Sequence, residues 1–288
     1  MRERLTADDL YAYVLMLKPV EKRAILIVEG DSDDAALAGH INDDEVNVIP
    51  GYGKGIIERV MSMVNDAGMR EVGAVLDRDF GDIVTGDSPP LNTFYSDMYD
   101  LDATIFLSGS LCERVANNFS SVDAVRSITV SLGCVSIEQA VISLALPLGV
   151  LRLISVRDGL GLRLQDFPLG EVVADDCRMV DIEQLTVKAI QRSNDQVARG
   201  PKDLAADLMT ELLDISDPKR MCSGHDLVRS LSVLLRKKSG VSMRPDTLER
   251  AFRAAFSCDL LCRTILYAEV GAWGRKMGRE VWACDLIK

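Results

Sequence analysis

The sequence predicts an α/β fold, a Rossmannoid parallel sheet followed by a mainly helical carboxyl-terminal half, and three observations carry that prediction. Short, almost wholly apolar runs (AILIVE from Ala24, VGAVL from Val72) suit strands covered on both faces. Segments with apolar residues at helical spacing separate them. Beyond about Asp100 the strand signals thin out and helical spacing takes over. In order, an amphipathic helix from about Ala7 to Leu17 leads into AILIVE. A helix with Ala35, Ala36, Leu37 and Ile41 follows at once, then a short strand, VNVIP, and the glycine-rich turn GYGKG. Ile56, Ile57, Val60, Met63 and Val64 mark the next helix, and VGAVL is the third strand. Strand, helix, strand, helix, strand is the order of a right-handed doubly wound unit. The loop GDIVTGDSPP and a fourth strand, NTFYS, close this region.

The remaining chain reads as helices through LDATIFL, SIEQAVISLALPLGVLRLI, DLAADLMTELLDI, GHDLVRSLSVLLRKK, TLERAFRAAFSCDLL and TILYAEVGAWGRKMG. Pro147 is expected to kink or end its helix, and VRDGLGLRLQDFPLG to form a hairpin or loop. The predicted division is an α/β metal-binding domain over residues 1–120 and a mainly helical domain over 121–288 packed against it, basic from about 218.

With 288 residues, 48% of them hydrophobic, and a mean hydropathy of +0.10, the chain buries a full core without staples. The amino-terminal apolar run is far shorter than a membrane span and lacks a small-residue cleavage pattern, so cytoplasm is the expected location and no membrane partner is expected. Seven scattered cysteines without a C-x-x-C pair indicate neither a zinc ribbon nor a disulfide framework; Cys258 and Cys262 share a helix face and read as buried thiols. A net charge of −11 disfavours a protein that coats nucleic acid indiscriminately. The charge is unevenly spread: residues 218–288 hold 14 Lys and Arg against 7 Asp and Glu, whereas residues 1–217 hold 19 against 37. The basic region either meets phosphate or neutralises the acidic part of the chain.

In open α/β sheets ligands bind beyond the carboxyl ends of the strands, and both acidic clusters fall there. VEGDSDD ends the first strand and LDRD the third. Asp77 and Asp79, two apart on an extended chain, leave the same face and can converge on one cation. Glu29 and Asp33 join them across the edge, with Gly30 allowing a tight turn. Carboxylates gathered this way repel unless a cation sits among them, and hard oxygen ligands favour Mg²⁺, with Mn²⁺ also suitable. Two other readings fit the acids alone: exposed loop acids with an N-cap at Asp31 or Asp33, or a receiver-like phosphoacceptor pocket. A receiver continues with Ser/Thr and Lys at later strand ends, where this chain turns helical.

E-G-x-x-D after one strand and D-x-D after a later one (Glu29, Gly30, Asp33, Asp77, Asp79) resemble the TOPRIM domain of primases, topoisomerases, small ribonucleases and OLD-family nucleases. The resemblance implies Glu29 as general acid or base, Asp77 and Asp79 as holders of a catalytic Mg²⁺, and Asp33 in a supporting or second-metal place. Together, VEGDSDD, VIPGYGKG, VGAVLDRDF, YSDMYDLDATIF and CSGHDLVRSL are similar to a TOPRIM-like family related to OLD nucleases, which includes the AriB-type effectors of the PARIS phage-defence system. That implies a nuclease that attacks host tRNA when released from an ABC-type, AriA-like ATPase. Where that family carries a glutamate ligand this chain has the shorter Asp102.

Lys54 lacks the rest of a P-loop and is not an ATP site, but at the second strand's end it can approach the carboxylates and contact substrate phosphate. His225, in GHD at a helix start, can position substrate or act as an acid, or simply pack while Asp226 favours the helix dipole. Arg229, Arg236, Lys237 and Lys238 lie on or beyond the same helix and can reach a phosphate backbone or stabilise its end. The expected function is therefore an Mg²⁺-dependent nuclease, an endoribonuclease before a DNase, with Glu29, Lys54, Asp77, Asp79 and His225 as catalytic candidates. Its metal ligands are drawn from Glu29, Asp33, Asp77, Asp79 and Asp102, and it is expected to be a homodimer. The competing reading is a catalytically silent module that docks on the ATPase. Primase and topoisomerase are disfavoured by the missing zinc motif and the short chain.

Overall fold

The structure is a computed structural model and describes residues 6–84, 86, 90–193 and 197–284, so part of the GDIVTGDSPP loop lies outside the described residues. In chain order the elements are α1 (Ala7–Leu17), β1 (Ala24–Val28), α2 (Asp31–Leu37), β2 (Val46–Pro50), α3 (Lys54–Asp66), β3 (Val72–Leu76), α4 (Gly81–Val84), β4 (Thr93–Tyr95) and α5 (Leu101–Phe106). There follow α6 (Leu111–Phe119), α7 (Val122–Leu132), α8 (Ile137–Arg157), α9 (Ile182–Arg192), α10 (Pro201–Asp214), α11 (Gly224–Ser239), α12 (Pro245–Ala255), α13 (Cys258–Leu261) and α14 (Ile265–Lys276). The protein is an α/β chain with a helical carboxyl-terminal half.

Its four strands form one parallel sheet in the order β2-β1-β3-β4, with Ile25 opposite both Asn47 and Val72. The chain moves outward from β1 to β2, then crosses back to β3 on the other side of β1. The topological switch point therefore lies between β1 and β3, where ligands bind in sheets of this kind. Both central strands are buried along their full length, which is why they read as unbroken apolar runs. On one face Ile25, Ile27, Val72, Ala74 and Leu76 pack with Leu10 and Val14 of α1 and with Ile57, Val60, Met61 and Val64 of α3. The α3 residues recur at i, i+3, i+4 and i+7, and full burial of each stabilises the fold by about 1.5–3 kcal/mol. A capping box between Thr6 and Asp9 starts α1.

The opposite face is covered by a segment that the sequence reading placed in the helical domain. The chain forms two compact units, one of residues 1–101 with 256–288 and one of residues 102–255. The predicted boundary lay at 120, whereas here residues 256–284 group with the sheet. Trp273 of α14 lies against Gly73 of β3, where an added Cβ would stand 3.1 Å from the indole, and its Nε1 donates to the Arg70 carbonyl at 3.1 Å. Asp97, just beyond β4, accepts from the first N–H groups of α14 (Ile265 at 2.8 Å, Leu266 at 3.0 Å) and anchors that helix start. The carboxyl segment is stitched to the loop before β2 by bonds from Asn42 N–H to the Val281 carbonyl and from Ala283 N–H to the His40 carbonyl, both 2.8 Å.

In the second unit α8 is the central helix, packed by α6, α7, α10 and α11. Pro147 does not end its helix, which runs through it for 21 residues. Loss of one backbone bond costs about 3 kcal/mol, and burial of apolar residues on nearly every side of α8 offsets it. Among the described residues α8 is the one helix long and apolar enough to cross a membrane, and 72% of its most apolar window is buried within the protein. VRDGLGLRLQDFPLG is a loop ending in a short 3-10 turn at Leu169–Glu171.

Candidate functional site

Five of the candidate residues come together at the switch point of the sheet. Glu29 follows β1, and its Oε1 accepts from the Asp77 N–H at 2.8 Å, tying the end of β1 to the end of β3. Asp33, in the first turn of α2, accepts the Gly30 N–H at 2.9 Å. Asp77 accepts the Leu101 N–H at 3.0 Å. Each of the three carboxylates thus has one oxygen held by backbone, which orients the other. Asp79 has a left-handed backbone (φ 49°), a conformation aspartate tolerates better than most residues, and its N–H donates to the Tyr99 carbonyl at 2.7 Å.

Lys54 reaches into the same cluster. The GYGKG turn positions it: a Cβ on Gly51 would fall 2.5 Å from the Ile57 side chain, and Gly53 holds φ 137°, so both glycines are needed to bring the chain from β2 into α3. From the first turn of α3 the ammonium donates to the Asp77 carbonyl (2.7 Å), the Arg78 carbonyl (3.2 Å) and Asp79 Oδ2 (2.8 Å). It also stands 5.4 Å from the Tyr95 ring centroid, in cation–π range.

The electrostatics separate Glu29 and Asp77 from ordinary surface acids. Burial pushes Glu29 up to about 7, with the charges of Asp79 and Asp33 adding to the rise and the Asp77 N–H and Lys54 opposing it. Burial also raises Asp77 well above the usual carboxylate range, helped most by Asp100 and then by Asp33 and Glu29. Asp100 is a member of the cluster that motif reading missed. It lies within YSDMYDLDATIF, a segment that carries the family resemblance, and only the fold shows that Asp100 lies near Asp77.

The donor set is all carboxylate oxygen, the chemistry of a hard divalent cation. The oxygens are not drawn into a cage. Among the described residues, the group of three or more His, Cys, Asp or Glu side chains with ligand atoms within 4.8 Å of one another is His40, Cys258 and Cys284. Mg²⁺ tolerates an open arrangement, since it keeps several waters and takes one or two carboxylates. Asp77, Glu29 and Asp33 fit that role; Asp79 fits it after exchanging Lys54 for the metal. Compared with known proteins, the chain matches no family model and no curated protein.

The other two candidates belong to the second unit. Asp102, expected as a metal ligand, instead gives both carboxylate oxygens to Arg253, at 2.8 and 2.5 Å. The sequence could not show this because Arg253 lies 151 residues away. His225 is half exposed and its Nδ1 lies 2.5 Å from Glu249 Oε1; that hydrogen bond raises the imidazole pKa, and Asp102 adds to the rise. Asp226 is buried and pairs with Arg152 at 2.7 Å. A cleft of about 540 Å³ in this unit, between Glu171–Gln184 and Met209, is lined by apolar residues and acids with no nucleophile beside a base.

The basic region also resolves in detail. Lys219, Arg229, Lys237, Arg253 and Arg279 pair with Glu138, Asp166, Asp175, Asp102 and Glu45. Each pair joins the basic segment to an acid of residues 1–217, in line with the neutralising role. One cysteine expectation is overturned: Cys258 and Cys284 form a disulfide. The pairing spans 26 residues and depends on the carboxyl segment folding back, which no spacing motif announces.

Proposed function

We propose that the chain is an Mg²⁺-dependent nuclease whose active centre is the carboxylate cluster at the β1–β3 switch point. The observation that carries this reading is Glu29, an acid with a pKa of about 7 held on the backbone of Asp77 and flanked by Asp33, Asp79 and Lys54. At neutral pH such a group is divided between its two protonation states, so it can take a proton from an attacking hydroxyl or give one to a leaving oxygen. Asp77 with Asp33 would hold the cation, and Asp79 would join them as Lys54 turns to a substrate phosphate. Bound Mg²⁺ or Mn²⁺ would supply Lewis-acid polarisation of the phosphoryl oxygen and an activated water. The TOPRIM resemblance of Glu29, Asp33, Asp77 and Asp79 supports the assignment and favours RNA, tRNA in particular, with an ABC-type ATPase as the controlling partner in phage defence. His225, oriented by Glu249, belongs to the second unit and is given no role in this centre.

One observation favours the second reading, a silent docking module. Lys54 already balances Asp79, so the site is partly neutralised without a metal. The two readings separate in a cleavage assay on purified protein with tRNA, other RNA and DNA, in Mg²⁺ and in chelator. The nuclease reading expects cleavage that requires metal and is lost in Glu29→Gln. Cleavage that survives in Glu29→Gln contradicts it. Absence of cleavage with all three substrates, with the ATPase partner removed, favours the module.

A further inference from the structure

Unit 1 carries a second group of ligand-type side chains with no part in the carboxylate centre. His40, in the loop after α2, directs Nδ1 at two sulfurs: 3.7 Å to Cys258 Sγ and 3.6 Å to Cys284 Sγ. The imidazole is buried against Phe256, ring centroids 5.5 Å apart, and burial holds its pKa below the usual histidine value. It also makes a hydrogen bond with the Phe256 backbone, the second contact that fixes a histidine ligand's orientation.

We infer that His40, Cys258 and Cys284 form a thiolate–imidazole site that takes Zn²⁺ when the disulfide is open. The geometry is close to what the metal needs. Tetrahedral zinc with bonds of about 2.0–2.1 Å to nitrogen and about 2.3 Å to sulfur places a histidine nitrogen about 3.6 Å from each sulfur. His40 already stands at that separation from both. The cysteine Cα atoms are 5.4 Å apart, so the sulfurs separate onto a metal by side-chain rotation.

The backbone around the three residues is held by bonds other than the disulfide. His40 and Asn42 pair with Val281 and Ala283, Asn42 Nδ2 donates to the Glu280 carbonyl at 3.0 Å, and the fully buried Trp282 donates to the Tyr267 carbonyl at 2.9 Å. On the other side Cys258 opens α13, whose carbonyl accepts the Cys262 N–H at 2.8 Å. Cys258 is only partly buried, which gives a reductant or an ion a way in.

The chemistry closes in two steps. A thiol reductant breaks the S–S bond, delivering two electrons and two protons, and leaves as its own disulfide. Zn²⁺ then displaces both thiol protons and binds two thiolates and His40 Nδ1. Three protein ligands leave a fourth position for water or an external thiol. Two soft thiolates exclude Mg²⁺, so this site and the carboxylate centre select different cations. The disulfide ties Cys284 to the start of α13, and the metal form would add His40 and so join both to the loop before β2.

The test uses the full chain, reduced with a phosphine, stripped with chelator and titrated with Co²⁺ without oxygen. One equivalent should produce a thiolate-to-cobalt charge-transfer band that Zn²⁺ abolishes. The band should be lost in Cys258→Ser and in Cys284→Ser and unchanged in Cys262→Ser. His40→Ala should weaken binding by at least the roughly 10- to 100-fold that loss of an outer-shell partner costs. Because a core variant can fail to fold, wild-type protein provides a second reading: Zn²⁺ should abolish alkylation of Cys258 and Cys284 while Cys134 stays reactive. No cobalt band in reduced wild type, a band that persists without Cys258 and Cys284, or alkylation indifferent to Zn²⁺ would each overturn the site.

Discussion

One group of acids in each unit shows the same residue types used in opposite ways. In the second, acids meet arginine: Asp102 gives both oxygens to Arg253, and buried Asp226 takes Arg152. In the first, Glu29, Asp33, Asp77, Asp79 and Asp100 crowd one sheet edge around Lys54. Burial and mutual repulsion lift Glu29 to about 7 and carry Asp77 well up. Acids matched to guanidinium groups hold a fold together; acids raised in pKa by their neighbours are ready to exchange protons or accept a cation. The difference separates structural acids from candidate catalytic ones more sharply than motif matching does.

The largest effect that would break this comparison is on activity. Glu29→Gln or Asp77→Asn should lower metal-dependent cleavage by about 10²–10⁴-fold, measured as kcat at saturating Mg²⁺, without lowering Tm. Next is stability in the second unit. Asp226→Ala takes the buried carboxylate away from Arg152 and should cost about 3–5 kcal/mol in a urea titration. A loss under 1 kcal/mol would show that the pair is not structural. Third, Gly73→Ala forces a methyl against the Trp273 indole and should cost about 1–3 kcal/mol, a direct check that α14 covers the sheet.

A pH experiment sharpens the contrast. The folded-state pKa of Glu29 lies above its ordinary 4.5, so the folded chain binds the extra proton and the resulting stability is present below about 4.5 and lost as pH rises through about 7. Glu29→Gln removes that loss, so its Tm should exceed that of wild type at pH 8 and converge with it near pH 4.5; equal Tm differences at both pH values would count against a raised Glu29. The smallest effect concerns His225. Replacement by Ala should reduce cleavage by less than the roughly 10²-fold that marks a general acid.

Much of this architecture is legible in the sequence, and the reason is local. Buried parallel strands must be apolar throughout, so AILIV and VGAVL declare themselves, and the acids that follow them sit at strand ends because they cannot enter the core. Lys54 was legible as a residue at the right edge, though not its three-way anchorage of the loop after β3. What stayed hidden depends on distant partners. Nothing near Asp102 announces Arg253, nothing near Cys258 announces Cys284, and α14 is as helical as its neighbours whichever layer it covers. That α8 continues through Pro147 could not be read locally, because the cost of proline is visible in the sequence and the burial that offsets it is not.

The most direct test of the central claim is inducible expression of wild type and Glu29→Gln in cells, followed by gel analysis of total tRNA, other RNA and DNA. The account predicts loss of a discrete nucleic-acid species, tRNA first, with wild type alone. Equal loss with both proteins would remove Glu29 from the chemistry and contradict the account.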